Sequence, residues 1–579
     1  MTDALLRHAP ALCRAVAYLA AVLVAAPILW HVAHGSLAYL GLFEDDYFYY
    51  SIVADRLVST GKLTYDGITT TNGFHPLWFV TVLALRAIAG GLNGVFYGLL
   101  TAVFVGSMVA TYELSRAFAR ALGASAALAA AVPLVHCVAT NLVVASGMET
   151  ALDVPLLLLL LLAFTRGGPV TPGRAARLGL LASLAILARL DIALVIPIAF
   201  AGWLGFARPP RTTVVRAVLA FCATGIAVPL YAAWNFLGFG SILPVSAVAK
   251  QLVLRPGINV SYLKLVARYT VYGATAGLTL VLGTLALVVL WRRRNAVPPA
   301  ALFASAVLLA FTAIFYALNS LSGWMYFGWY AYPLGPALVV AWVLAGTVVA
   351  ARLPPAWGPR ASAALVAAAS VLALVQGARA FATRGPLWTV SDNGLLAMSA
   401  ELADRMRDRH GVYAMGAISG FVSYLLHEPV VQLEGLVADA AMGQHLRRQD
   451  FLGDVLQAYG VDYLIVSVYR APLEKRDGCW HVTQPSAEWS GDRVARMSGD
   501  LCTEPVEHFF TRAPARTWSI FTTLETFVFD VRNARWRERM PPAEQRKGIG
   551  EAVVDPPGAV RTRDNAALEQ DPSVPPVRD

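Results

Sequence analysis

The chain has 579 residues, 57% of them hydrophobic and 14% charged, with a mean hydropathy of +0.57. Such a composition excludes a soluble fold and leaves a polytopic membrane protein. The formal charge of +9 is no sign of nucleic-acid binding, because the arginines cluster in short connections between apolar runs, where positive-inside topology puts them.

The apolar run at 15–33 reads as a first span rather than a cleavable signal, with Arg7 and Arg14 held inside. Further runs lie near 94–114, 124–146, 149–165, 175–189, 192–207, 214–236, 268–290, 300–318, 330–350 and 361–381. Several fall short of the roughly 20 residues of a full span. The segment 76–90, PLWFVTVLALRAIAG, carries Arg86 within it and is read as re-entrant or interfacial. With that segment not crossing, the arginine-rich connections at 116–120, 166–177, 208–216, 292–294 and 352–360 all fall on the inner side. The positive-inside rule then gives about eleven spans, an inner N-terminus and an outer C-terminal region. From 385 the pattern changes. Strand-like runs (412–418, 429–433, 461–467 and 525–531) alternate with helical ones such as 393–411, which predicts a compact α/β domain over 385–540. The Pro-, Arg- and acid-rich stretch 541–579 is expected to be disordered.

Cys13, Cys137 and Cys222 lie in or beside apolar runs, as packing residues do. Cys479 and Cys502, in the polar C-terminal region, are the one pair able to bridge.

On this topology the polar peculiarities of the chain all reach the outer face. First come Glu44, Asp45 and Asp46, adjacent acids whose mutual repulsion raises at least one pKa. A carboxylate there is placed to deprotonate an acceptor hydroxyl. The following YFYYSIVADRLVS, with Tyr49, Ile52, Val53 and Leu57 at helical spacing, predicts an interfacial amphipathic helix. In TNGFHPLW (71–78), the Asn72-Gly73 turn and Pro76, which forces His75 to be extended, present Asn72, His75 and Trp78 from one corner. Glu149 of SGMET opens a span. Arg189 and Asp191 of ARLD sit between apolar runs, where unpaired charge is costly. Lys250 ends FGSILPVSAVAK and is suited to a phosphate. Tyr330 and Tyr332 belong to the aromatic cluster GWMYFGWYAYP. A metal site finds no support, since no second histidine stands at ligand spacing from His75, and no Walker loop or Ser-His-Asp signature is present.

This ordered set, with AMGAISGFVSYLLHEPVVQLEGLV in the C-terminal region, resembles bacterial GT-C glycosyltransferases, polytopic enzymes that use polyprenyl-phosphate sugars. The group containing the mycobacterial terminal arabinofuranosyltransferase looks nearest. The resemblance implies a GT-C-like membrane domain over 1–384, with Asp45 as catalytic base and Asp46 its neighbour. It implies Arg189 and Lys250 at the donor phosphate, and Glu149 and His75 lining the same cavity. Leu190 stands where relatives commonly carry proline, and TNGFHPLW replaces a VEGYTSPLW-like form, so the sugar is left open between hexose and pentose. The expected partners are the bilayer, a polyprenyl-phosphate-linked sugar and a glycan, lipid or protein acceptor on the outer face of the bacterial inner membrane. The competing readings are a lipid-linked glycan flippase and a non-catalytic envelope assembly protein. A flippase predicts internal pseudo-symmetry, which the sequence does not show. An assembly protein leaves the clustered acids unexplained.

Overall fold

The computed structural model describes residues 2–166, 169–251, 257–259, 273–292, 297–321, 324, 327–350, 354, 357–469, 472–486, 495–513 and 523–537. The tail expected to be disordered, the start of the 268–290 run and part of GWMYFGWYAYP lie outside these. Residues 1–540 form one compact unit.

The N-terminal part is helical and apolar. Among the described residues, six helices are long and apolar enough to cross a membrane: Leu6–Ala33, Asn93–Ala121, Ala126–Val144, Pro299–Leu321, Gly328–Val349 and Gly358–Arg384. Shorter apolar helices occur at Pro76–Ala89, Thr150–Thr165, Leu190–Gly205 and Gly277–Arg292. The run read as one span over 214–236 is two helices, Arg211–Thr224 and Ala227–Phe239, bent by 57°. The break falls at Gly225, whose N–H closes the first helix on Phe221.

We label α1 (Thr2–Ala33), α2 (Tyr47–Thr60), α3 (Pro76–Ala89), α4 (Asn93–Ala121), α5 (Ala126–Val144), α6 (Thr150–Thr165), α7 (Pro172–Ala188) and α8 (Val195–Ala207). There follow α9 (Arg211–Thr224), α10 (Ala227–Phe239), α11 (Val245–Lys250), α12 (Gly273–Arg292), α13 (Pro299–Leu321), α14 (Leu334–Ala350) and α15 (Trp357–Arg384). α1 packs on α4, α5 and α15, and α6 on α4, α7 and α13. α6 and α7 matter most for function. One leaves, and the other returns to, the place where the charged residues gather.

The C-terminal part holds α16 (Gly394–Arg405), β1 (Tyr413–Met415), α17 (Ser419–Leu426), β2 (Val430–Gln432), α18 (Ala440–Arg448), α19 (Leu452–Ala458) and β3 (Tyr463–Val468). It continues with β4 (Lys475–Arg476), β5 (Cys479–Gln484), β6 (Met497–Leu501), β7 (Glu507–Arg512), β8 (Thr523–Asp530) and β9 (Trp536–Arg537). The main sheet runs β2-β1-β3-β8-β7, its first three strands parallel and the last two antiparallel. β1, β2 and β3 are buried along their whole length, as strands covered on both faces are. Met398 and Leu402 of α16 pack with Tyr413 and Ile465, while Met442 and Leu446 of α18 and Leu452 of α19 pack with Ala414 and Leu464. The strand-like runs read from the sequence fall on β1, β2, β3 and β8. A second, antiparallel sheet runs β4-β5-β6-β9, and Cys479 and Cys502 are joined in a disulfide beside its β5–β6 pairing.

One element differs from its sequence reading in a way that bears on function. α2 is not an interfacial helix with one wet face, since Tyr47 through Ala54 are all buried. The C-terminal part covers the side that amphipathic spacing leaves polar. Phe48 meets Phe421 and Tyr424 of α17 at ring-centroid distances of 4.7 and 5.0 Å, and the Tyr65 hydroxyl donates to the Ser419 carbonyl at 2.8 Å.

Candidate functional site

Three polar turns converge above α6 and α7. In the first, the Glu44 N–H donates to the Ser146 carbonyl at 3.0 Å, seating the acidic turn on the SGMET loop. Gly147 makes this possible. Its φ is +88°, and a Cβ there would lie 2.8 Å from the Tyr47 ring, so both backbone and space require glycine.

The three acids then take different environments. Glu44 is half-buried, with Arg384 of α15 as its opposite charge, and burial pushes its carboxyl up to about 7. Asp45 is buried. Its carboxylate accepts from the Phe421 N–H at 2.8 Å and the Gly420 N–H at 3.0 Å, with the Tyr49 hydroxyl at 3.4 Å. It thus holds the start of α17, and burial pushes it up to about 7 against those hydrogen bonds. Asp46, at the N-cap of α2, is half-buried and makes no hydrogen bond to the helix's first turn. Burial pushes its carboxyl up to about 6, held down by Lys250 and raised by Glu149.

The cations stand opposite. Lys250, at the end of α11, donates to the Tyr330 hydroxyl at 3.2 Å, and its pKa is raised despite burial by Tyr330 and Asp46. Arg189 follows the last turn of α7 and is only 2% exposed. Its Nη1 donates to Glu149 Oε1 at 2.5 Å, its Nε to Asp191 Oδ2 at 3.0 Å, and Asp153 Oδ2 lies 3.9 Å away. The guanidinium also lies over the Tyr332 ring at 4.5 Å, a cation–π contact strengthened by desolvation. The Tyr332 hydroxyl donates to Asp191 Oδ1 at 2.8 Å. His75 completes the group: Nε2 is 3.6 Å from Glu149 Oε1, and Nδ1 accepts from the Leu190 N–H at 3.4 Å. Accepting at Nδ1 places the neutral ring's proton on Nε2, facing Glu149. Burial lowers the His75 pKa below its usual value.

Of the residues singled out in the sequence, Glu44, Asp45, Asp46, His75, Glu149, Arg189, Asp191, Lys250, Tyr330 and Tyr332 form this one connected group. Asn72 and Trp78 do not face it. Both are fully buried. Asn72 donates to Asn235 Oδ1 at 2.9 Å and accepts from the Val245 N–H at 3.0 Å, while the Trp78 indole donates to the Gly147 carbonyl at 3.0 Å. They hold the α10–α11 connection and the SGMET loop in place. Among the described residues, no group of three or more His, Cys, Asp and Glu is arranged to hold a metal ion.

No family profile matches the chain, and no curated protein matches it. Among solved structures it is similar to the apo oligosaccharyltransferase of Archaeoglobus fulgidus, at 12% identity and a TM-score of 0.46, over 79% of this chain and 69% of that one. It is also similar to ArnT from Cupriavidus metallidurans in the apo state, at 13% identity and a TM-score of 0.46, over 73% and 88% of the two chains. The same ArnT bound to undecaprenyl phosphate matches at 13% identity and a TM-score of 0.46, over 76% and 93%. These likenesses are loose, and the chemistry of the site follows from its own residues.

Two residues of the site carry no sequence signal of their own. Tyr50 donates to Glu149 Oε2 at 3.2 Å but reads as one more aromatic in YFYY. Glu434, 4% exposed, follows β2 in the C-terminal part, where VVQLEGL looks like a strand and its turn. It accepts from Gln432 Nε2 at 3.1 Å, and burial with Asp46 and Asp45 pushes it up to about 8. What brings it in is a backbone-to-backbone fit: a Cβ on Gly73 would lie 1.9 Å from the Leu436 carbonyl oxygen. Gly73→Ala is therefore expected to unseat the Gln432–Leu436 segment at a cost of about 1–3 kcal/mol, as overpacking does. Limited proteolysis checks this: cleavage within 412–470 accelerates in the variant, and an unchanged digestion pattern contradicts the fit.

Proposed function

We propose that this protein is a GT-C-type inverting glycosyltransferase that moves a sugar from a polyprenyl-phosphate donor to a glycan, lipid or protein acceptor. It does so on the outer face of the bacterial inner membrane, with its N-terminus inside and the 385–540 domain outside. The observation that carries the reading is Asp46, a half-buried carboxylate beside Lys250 that makes no capping hydrogen bond, at the edge of the ionic group around Arg189.

In the reaction, Asp46 takes the proton of the acceptor hydroxyl. The hydroxyl oxygen forms its bond to the anomeric carbon from the face opposite the phosphate. The carbon–oxygen bond to the phosphate breaks, and its electron pair leaves on the phosphate. A phosphate is a good leaving group, so the protein needs a base on one side and positive charge on the other. Lys250 supplies that charge as a point contact. Arg189 is engaged by Glu149 and Asp191, so it steadies the cavity and shares the donor phosphate only at its edge. The family resemblance implies Asp45 as the base. With both its oxygens accepting from the backbone of α17, Asp45 is better suited to docking the C-terminal part, and the base role passes to Asp46. Within GT-C enzymes we place it, on its motifs, with the arabinofuranosyltransferase-like group. Transfer assays with a panel of pentosyl and hexosyl polyprenyl phosphates identify the sugar. Folded protein that neither turns over nor binds any member of the panel overturns the reading.

The pH dependence follows from Asp46. A base works ionised, and burial pushes this carboxyl up to about 6. The transfer rate at saturating donor is thus expected to rise about tenfold per pH unit below that value and to level off above it. The inflection belongs to the coupled acids as a set. A rate flat from pH 5 to 8 contradicts a catalytic carboxylate in this environment.

A further inference from the structure

At the far end of the bundle from the acidic site lies a cavity of about 1210 Å³, larger than the roughly 300–1,000 Å³ of a drug-sized pocket. α6 begins beside Glu149 and ends at Thr165 on the cavity wall, which puts the two sites about 24 Å apart at 1.5 Å per residue. The cavity is built rather than left over. α8 and α9, consecutive in the chain, part around it, with α8 packing on α13 and α9 on α7. Each of those contacts is drawn tight by a glycine. A Cβ on Gly202 would meet the Phe303 ring at 2.7 Å, and one on Gly179 would meet the Phe221 carbonyl oxygen at 2.2 Å.

Its wall is apolar and aromatic, from Phe164, Trp203, Phe221 and Phe303, whereas Arg166 and Arg174 also line it. Pro209 and Pro210, between Arg208 and Arg211, complete the rim. An apolar chamber wide enough for hydrocarbon chains, with arginines at the membrane-surface end, matches one kind of molecule. Basic pockets between spanning helices hold anionic lipid headgroups.

We propose that this cavity is a binding site for an anionic diacyl phospholipid of the leaflet opposite the acidic site, its acyl chains between α8 and α9 and its phosphate on Arg166 and Arg174. The cavity itself is independent of the glycosyl-transfer reading, but the choice of a diacyl lipid over a polyprenyl phosphate rests on it. A polyprenyl phosphate is the other lipid of comparable chemistry, but its phosphate would belong at Lys250, at the far end of the helices.

The test uses the full-length protein extracted in mild detergent and examined by native mass spectrometry. Wild-type protein is expected to retain a phosphate-bearing diacyl lipid, and Arg166→Ala and Arg174→Ala each to lower that retention about fivefold. Cys222 gives a second readout without any substitution, since it lines the cavity and is exposed, whereas Cys13 and Cys137 are buried. In vesicles of phosphatidylcholine with phosphatidylglycerol, its labelling by a membrane-permeant maleimide is expected to be several-fold slower than in phosphatidylcholine alone. Equal retention by the arginine variants, retention of a polyprenyl phosphate in the diacyl lipid's place, or labelling of Cys222 indifferent to anionic lipid overturns the proposal.

Discussion

Asp46→Asn is expected to lower the rate of glycosyl transfer by about 10²–10⁴-fold, the contribution of a positioned general base, with little change in fold. The side chain is half-buried and caps nothing, so its amide isostere disturbs no protein hydrogen bond. Donor binding is expected to persist, and to tighten slightly as one negative charge leaves the neighbourhood of the donor phosphate. Asp45→Asn behaves differently. An asparagine has one acceptor oxygen for the two N–H groups of Gly420 and Phe421, so one of them faces the amide's own donors. An unsatisfied buried donor costs about 1–3 kcal/mol, and the loss falls on the docking of α17. The Asp45 variant should therefore melt earlier and release the C-terminal part to protease, with a smaller loss of rate. Steady-state kinetics and thermal unfolding of the two variants side by side separate the roles. A wild-type rate in Asp46→Asn, with a collapse in well-folded Asp45→Asn, returns the base role to Asp45.

What was legible in the sequence had one physical origin. A charge in an apolar chain is expensive, so Glu149, Arg189, Asp191 and Lys250 announce themselves wherever they fall, and positive-inside topology collects them on one side without knowledge of contacts. That logic weakens where the residue is not charged. Asn72 and Trp78 stood out as polar or amphipathic residues at a sharp corner, but the same chemistry serves a buried hydrogen bond as well as a substrate. Only the positions of Asn235 and Gly147 reveal which. Glu434 failed for the opposite reason. It is a charge within the polar C-terminal region, where charge is cheap, and its burial depends on Gly73 meeting Leu436 some 360 residues away. The misreading of α2 has the same cause: periodicity reported a polar face, and the partner that covers it comes from α17. The bend at Gly225 and the cavity beside it lie inside an apolar run that hydropathy reads as continuous.

Arg189→Met is expected to destabilise the membrane part by about 3–5 kcal/mol, as removing one partner from a buried ionic group does. Methionine fills much of the same volume, so the loss is electrostatic rather than a cavity. Glu149 and Asp191 lose their counter-charge, and Asp153, fully buried with neither carboxylate oxygen hydrogen-bonded, loses the cation 3.9 Å away. Arg189→Lys should recover part of this, because a single ammonium satisfies Glu149 or Asp191 but does not fork between them. The decisive comparison is the pair Arg189→Met with Asp153→Leu. Asp153 makes no hydrogen bond to lose, so its replacement alone forfeits only its attraction to Arg189. In the double variant one of the three stranded carboxylates is gone, and the combined loss should fall short of the sum by about 0.5–3 kcal/mol, the coupling expected of groups in contact. Thermal or denaturant unfolding in detergent measures each arm. Strict additivity would mean that Asp153 is neutral in the folded protein and that Arg189 is balanced by Glu149 and Asp191 alone. Wild-type stability in Arg189→Met would mean that the three acids do not depend on the arginine at all, and that the order of the site rests on the aromatic packing of Tyr330 and Tyr332.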